Sequence, residues 1–195
     1  MDESDSTNEL MASVGEAINA WSSIEWALDG LFGSISGTDS TRSSIIMASI
    51  ISLEARLQVI DNLIGQISIR DELRTYWSRC FIRIKKQARK RNELAHFTVV
   101  SRFFEGKGKS PVLLPYFSVG RLSIAPAKNG TPVIRELGHK DIQHRASVFY
   151  GLAAAVRWLS VEMRVEQGKR EVNHLPITDL VQLLLQPIDQ TPTES

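Results

Sequence analysis

Cysteine is nearly absent from this 195-residue sequence, which contains a single one, Cys80. One cysteine cannot form an internal disulfide bond, and such sparse use is typical of a chain that folds in a reducing compartment. The four histidines are scattered, and no cysteine and histidine cluster has metal-ligand spacing. We therefore expect neither a disulfide bond nor a bound metal ion.

Long apolar runs, glycine-rich phosphate loops and internal repeats are also missing. No apolar run approaches the roughly 20 residues that a membrane-spanning helix requires. Residues 1–9 are acidic and polar, the reverse of a secretory or transit peptide. These absences predict a cytoplasmic protein that contacts no membrane and carries no cofactor.

The sequence also lacks a strong net charge. Its 23 basic and 22 acidic residues leave a net charge of +1. The chain as a whole therefore exerts no general attraction on nucleic acid, and any such attraction must be local. Hydrophobic residues make up 43% and charged residues 23% of the sequence, as in an ordinary globular domain.

Four long segments carry apolar residues at steps of three and four, the spacing of a helix with one buried face. The predicted helices cover residues 7–34, 41–65, 69–96 and 140–166. The second is apolar nearly all round in its first half, which is typical of a helix in a bundle centre or at a subunit contact. Together they predict a mainly α fold, an up-and-down four-helix bundle.

Between the third and fourth helices the pattern changes to short β-like runs. They are separated by turn sequences, of which Asn129-Gly130 is a good hairpin signal. We predict a small antiparallel β excursion over residues 98–136, within one helical domain of residues 1–170. Residues 171–195 are predicted to form a linker, a short helix and a disordered tail.

Seven basic residues occur within residues 79–91, and no acidic residue interrupts them. One interpretation is a solvated helix end, where cations interact favourably with the helix dipole. The other is a surface that follows the phosphates of RNA. In that interpretation the RNA-binding residues are Arg79, Arg83, Lys86, Arg89 and Lys90.

Three polar residues, Arg91, Asn92 and His96, come at the end of the third predicted helix. Asn92 and His96 are one turn apart and face the same way, and the long side chain of Arg91 can reach that side. An imidazole can accept and donate a proton near neutral pH, and a guanidinium can hold a phosphate through two parallel hydrogen bonds. These groups suit RNA cleavage without a metal ion, in which the ribose 2′-hydroxyl attacks the adjacent phosphorus.

Such a reaction needs both a base and an acid, whereas each chain offers one histidine at this position. A two-fold homodimer with this helix end at its interface would bring two copies of His96 together. The sequence therefore predicts a site that is complete only in the dimer.

An arginine, a polar residue and a histidine late in the third helix of a bundle resemble the motif of the higher eukaryotes and prokaryotes nucleotide-binding (HEPN) superfamily. The resemblance implies a homodimer whose facing motifs form a metal-independent endoribonuclease cleft, with Arg91, Asn92 and His96 as catalytic residues. It also implies a role in toxicity or phage defence, with RNA and an antitoxin or regulatory protein as partners. Thr98 stands where toxins modified by a nucleotidyltransferase carry tyrosine, which argues against that type of antitoxin.

Two other interpretations stay open at the sequence level. The protein can be a non-catalytic module that binds RNA, nucleotide or a partner protein through the same cleft, as many superfamily members do. It can also be a structural bundle in which Arg91 pairs with an acid such as Glu25 and His96 caps its helix. In the catalytic interpretation, Glu25 beside the inward stripe of the first helix would instead orient Arg91.

Overall fold

The described residues of the computed structural model are 3–104, 108–115 and 137–168, and they are mainly helical. They contain five helices and two strands. The helices are α1 (Glu3–Ser36), α2 (Ser40–Ser49), α3 (Leu53–Gln66), α4 (Asp71–His96) and α5 (His139–Glu166), and the strands are β1 (Phe97–Phe104) and β2 (Gly108–Pro115). Residues 105–107 and 116–136 of the predicted β excursion, and the predicted C-terminal linker, helix and tail, lie outside the described residues.

The prediction of one continuous helix over residues 41–65 is wrong, because α2 ends at Ser49 and α3 begins at Leu53. Ile50 is extended (φ −93°, ψ 102°), and the side chain of Ser52 caps α3 by accepting a hydrogen bond from the Ala55 amide. Serine is favoured at this position because its oxygen satisfies an amide that has no partner in the first helical turn. The serine cap therefore divides an apolar run that resembles a single helix.

The hairpin of β1 and β2 continues directly from α4, since Phe97 follows His96. The strands are antiparallel, in a register that runs from Phe97 opposite Pro115 to Phe104 opposite Gly108. The β-branched run from Thr98 to Val100 favours an extended backbone. The helix that carries the polar motif therefore ends where strand pairing begins.

The chain divides into two compact units, to each of which α1, α4 and α5 contribute. The first unit comprises Met1–Ser22 and Lys86–Tyr150. In it, the rings of Trp21 and Phe149 meet edge to face with centroids 5.3 Å apart. The Ser13 hydroxyl also lies 2.7 Å from Nδ1 of His139, which links α1 to the start of α5. This unit contains the end of α4.

The second unit comprises Ser23–Lys85 and Gly151–Ser195. In its core the rings of Tyr76 and Trp158 meet edge to face at 4.9 Å. Gly33 lets α1 approach α2 closely, because a Cβ at this position would overlap with the hydroxyl of Ser43. No helix in the described residues is both long enough and apolar enough to cross a membrane.

Candidate active site at the end of helix α4

Arg91, Asn92 and His96 occupy the last two turns of α4, in the first unit. The guanidinium of Arg91 donates a hydrogen bond to the Asn92 side-chain oxygen, with a distance of 3.3 Å between Nη1 and Oδ1. Nε of Arg91 is buried and has no hydrogen-bond partner in the described part of the chain. The structure therefore brings Arg91 and Asn92 together, and His96 follows Asn92 by one helical turn.

His96 is the last residue of α4, and its side chain is exposed. Within residues 3–104, 108–115 and 137–168, its ring makes no hydrogen bond or ion pair. Asn92 is exposed as well, one turn earlier. An exposed imidazole beside an exposed amide is accessible to a ligand, whereas an imidazole that caps its own helix would have its polar atoms occupied.

A buried arginine on α5 holds the same turns of α4. Arg145 is only 4% exposed, and its two terminal nitrogens donate to the Lys90 carbonyl oxygen at 2.9 Å and to Oε2 of Glu93 at 2.7 Å. The bond to Glu93 joins two ionised groups, and such bonds are shorter and stronger than neutral ones. Because Lys90 and Glu93 flank Arg91 and Asn92, Arg145 fixes the helical turn that presents the motif.

The sequence analysis missed Arg145, although the pattern contains a signal for it. Ile142, Ala146 and Phe149 are buried residues of α5 at helical spacing, and Arg145 lies on the same face between them. An arginine within such an apolar stripe is either paired or reaches water with its charged end. Its actual partner, Glu93, lies inside the predicted motif.

The five predicted RNA-binding residues all lie on α4. Arg79, Lys86 and Arg89 are exposed, whereas Arg83 and Lys90 are half-buried. The three exposed side chains are therefore the better suited to phosphate contacts in water. Arg79 and Arg83 belong to the second unit, and Lys86, Arg89 and Lys90 belong to the first.

Glu25 is half-buried in the second unit, whereas Arg91 belongs to the first. The approach of Glu25 to Arg91 therefore stays a prediction. The negative charge of Glu25 affects the pKa of Asp29, which lies one turn further along α1. Burial is the main cause that raises the pKa of Asp29, and the negative charge of Glu25 adds to it.

Outside the motif, the other groups with a capacity for chemistry are metal-ligating side chains and the thiol of Cys80. Among these residues, no group of three or more histidine, cysteine, aspartate or glutamate side chains is placed to hold a metal ion. Cys80 is buried, and burial raises its pKa to about 12. It is therefore a protonated thiol near neutral pH and a poor nucleophile.

Comparisons with protein-family models, with curated proteins and with solved structures find no match to this chain. The resemblance to the HEPN superfamily therefore depends on the residues of the motif and on their position at the end of α4.

Proposed function

We propose that this protein is a metal-independent endoribonuclease of the toxin or phage-defence type, with an active site formed between two copies of the chain. The observation that carries the proposal is the exposed pair of Asn92 and His96, one turn apart, with Arg91 bonded to Asn92. The proposal includes an up-and-down helical bundle with a β excursion, a cytoplasmic location, and an antitoxin or regulatory protein as a partner.

In the proposed reaction, His96 of one copy acts as a base and accepts the proton of the ribose 2′-hydroxyl. The 2′-oxygen attacks the adjacent phosphorus, and the bond from phosphorus to the 5′-oxygen breaks. His96 of the second copy acts as an acid and protonates that leaving oxygen. Arg91 stabilises the negative charge that develops on the phosphate, and Asn92 orients the imidazole or the phosphate.

We expect the protein to be a homodimer that uses the faces of the second and third predicted helices, which correspond to α2 and α3 and to α4. Ile45, Ile46 and Ile51 are exposed by 62%, 41% and 98%, and Ile82 on α4 is exposed by 53%. Three of these exposed isoleucines lie within residues 45–51, and neighbouring exposed apolar side chains are typical of an interaction surface. A second copy is the occupant that the reaction needs, because each chain supplies one histidine.

Sedimentation equilibrium at micromolar concentration should give twice the chain mass of 21.8 kDa. Ile51→Asp should shift the protein towards the monomer, because it places a charge in the predicted interface. Met11→Asp is the matched control, since Met11 is exposed by 52% on α1 and outside that surface. A wild-type monomer would contradict both the dimer and the shared active site.

We expect the protein to cleave single-stranded RNA in excess chelator and to leave a 2′,3′-cyclic phosphate. A substrate with deoxyribose at the cut site should resist cleavage, because it lacks the nucleophile. Magnesium-dependent cleavage that leaves a 5′-phosphate would rule out this mechanism. If a well-folded dimer cleaves no RNA, the alternative is a non-catalytic HEPN-like module that binds RNA, nucleotide or a partner protein.

A further inference from the structure

A cavity of about 200 Å³ lies in the second unit and is lined by residues of α1, by Thr38 in the link to α2, by the start of α2 and by Arg164 of α5. One water molecule occupies about 30 Å³ in the liquid, so the cavity has room for a small organic group. All the residues that line it belong to the second unit, and none of them belongs to the motif at the end of α4.

Asp29 lines this cavity and has one carboxylate oxygen without a donor among the described residues. This oxygen, Oδ1, is buried, while the neighbouring Ser44 side chain acts to lower the pKa of the carboxylate. A buried acceptor without a donor is unfavourable because it has lost its hydrogen bonds to water. A rotation of the carboxylate would bring this oxygen to the cavity, where a ligand with N–H groups would restore the lost bonds. Burial raises the pKa of Asp29, and the positive charge of Arg56 opposes this effect.

Arg164 and Trp26 add two further recognition groups to the same cavity. Nε of Arg164 donates to the Ser34 hydroxyl at 2.7 Å, which orients the guanidinium. Trp26 is 79% exposed although it lines the cavity. Trp26 and Asp29 are three residues apart on α1 and therefore lie on the same helical face. An aromatic ring, an acceptor and a donor thus border one small space.

We propose that this cavity binds a guanine base, either in single-stranded RNA or in a free nucleotide. Guanine has two adjacent donors, N1–H and the N2 amino group, that a carboxylate can accept together. Its O6 and N7 atoms are acceptors that suit an arginine. Its flat ring can stack on an exposed indole, as unstacked bases do on aromatic side chains. Adenine has an acceptor at N1 and a donor at N6, so it presents the wrong edge to Asp29.

Titration of the wild-type protein with guanosine monophosphate, followed by calorimetry, tests the proposal. We expect saturable binding at least tenfold tighter than that of the adenosine, cytidine and uridine monophosphates. A parallel titration with single-stranded RNA that contains guanine, and with RNA that lacks it, distinguishes the two sources of the base. Binding of either guanine ligand supports the proposal. Binding of neither, or binding without preference for guanine, overturns it.

Asp29→Asn should weaken the binding of guanosine monophosphate at least tenfold, because one carboxylate oxygen is replaced by a donor. Wild-type affinity should also fall in acid as Asp29 is protonated. This fall should begin at a higher pH than for an ordinary aspartate, since burial raises the pKa of Asp29. The variant should lack this part of the pH dependence. Unchanged affinity in Asp29→Asn would overturn the assignment of this residue and of the site.

A substitution at Gly30 tests the cavity in a variant that should be as stable as the wild-type protein. Gly30 lines the cavity, and a Cβ at this position meets no atom within 4 Å. Leucine at Gly30 should occupy the cavity and abolish binding, while its better helix propensity leaves the melting temperature unchanged or raises it by about 2–4 °C. Gly15→Leu is the matched control, because Gly15 is also an unobstructed glycine of α1 but lies outside the cavity. Wild-type binding by Gly30→Leu would place the ligand elsewhere and overturn the proposal.

Discussion

Replacement of His96 by alanine should reduce the rate of RNA cleavage by at least about 10²–10⁴-fold, the usual contribution of one positioned acid or base. The dimer contains two copies of His96, and the proposed reaction uses one as the base and the other as the acid. Because His96 is exposed at the end of α4, its removal should leave the fold intact. Single-turnover rates on end-labelled RNA in excess chelator would measure the effect, with circular dichroism as a check on folding.

Variants along α4 separate chemistry from binding in the same assay. Arg91→Ala should cause a loss similar to that of His96→Ala, because the phosphate loses its stabilising cation, and Asn92→Ala should be milder. Arg79→Ala should weaken RNA binding and flatten its salt dependence, while the rate at saturating RNA stays close to that of the wild type. Undiminished cleavage by His96→Ala would show that the motif is not the active site.

The arrangement of the motif is predictable from the sequence because it needs only a helix. Helical geometry alone places Asn92 and His96 one turn apart, and the apolar periodicity of residues 69–96 is sufficient to predict that helix. The same periodicity predicts α1 and α5 to within a few residues at each end. These helices are predictable because the periodicity that defines each of them lies within one continuous segment of the sequence.

Two features were not predicted, for different physical reasons. The break between α2 and α3 depends on one capping serine, and the apolar residues on both sides of Ser52 conceal that signal. The bond between Arg145 and Glu93 joins residues 52 positions apart, and so depends on how α4 packs against α5. Periodicity indicates that Arg145 faces inward, but it does not identify the partner.

The Arg145–Glu93 pair should be a major contributor to the stability of the first unit. Glu93→Ala should lower the free energy of unfolding by about 3 kcal/mol, because it leaves a buried guanidinium without its counter-charge. We choose the lower end of the range for broken buried pairs, since the Glu93 side chain is 32% exposed and part of its charge already contacts water. Urea unfolding followed by circular dichroism would measure the loss.

A second substitution separates the cost of the unpaired charge from the loss of the contact itself. Arg145→Met in the Glu93→Ala background should restore most of the lost stability, because an apolar side chain of similar length needs no counter-charge.

The matched control is the exposed pair of Lys85 and Glu54, whose side chains are 44% and 56% exposed at a distance of 2.7 Å. Glu54→Ala should change stability by less than about 1 kcal/mol, since water solvates both charges. Equal losses from Glu93→Ala and Glu54→Ala would mean that burial of Arg145 contributes nothing, and that Arg145 does not fix the turn that carries Arg91 and Asn92.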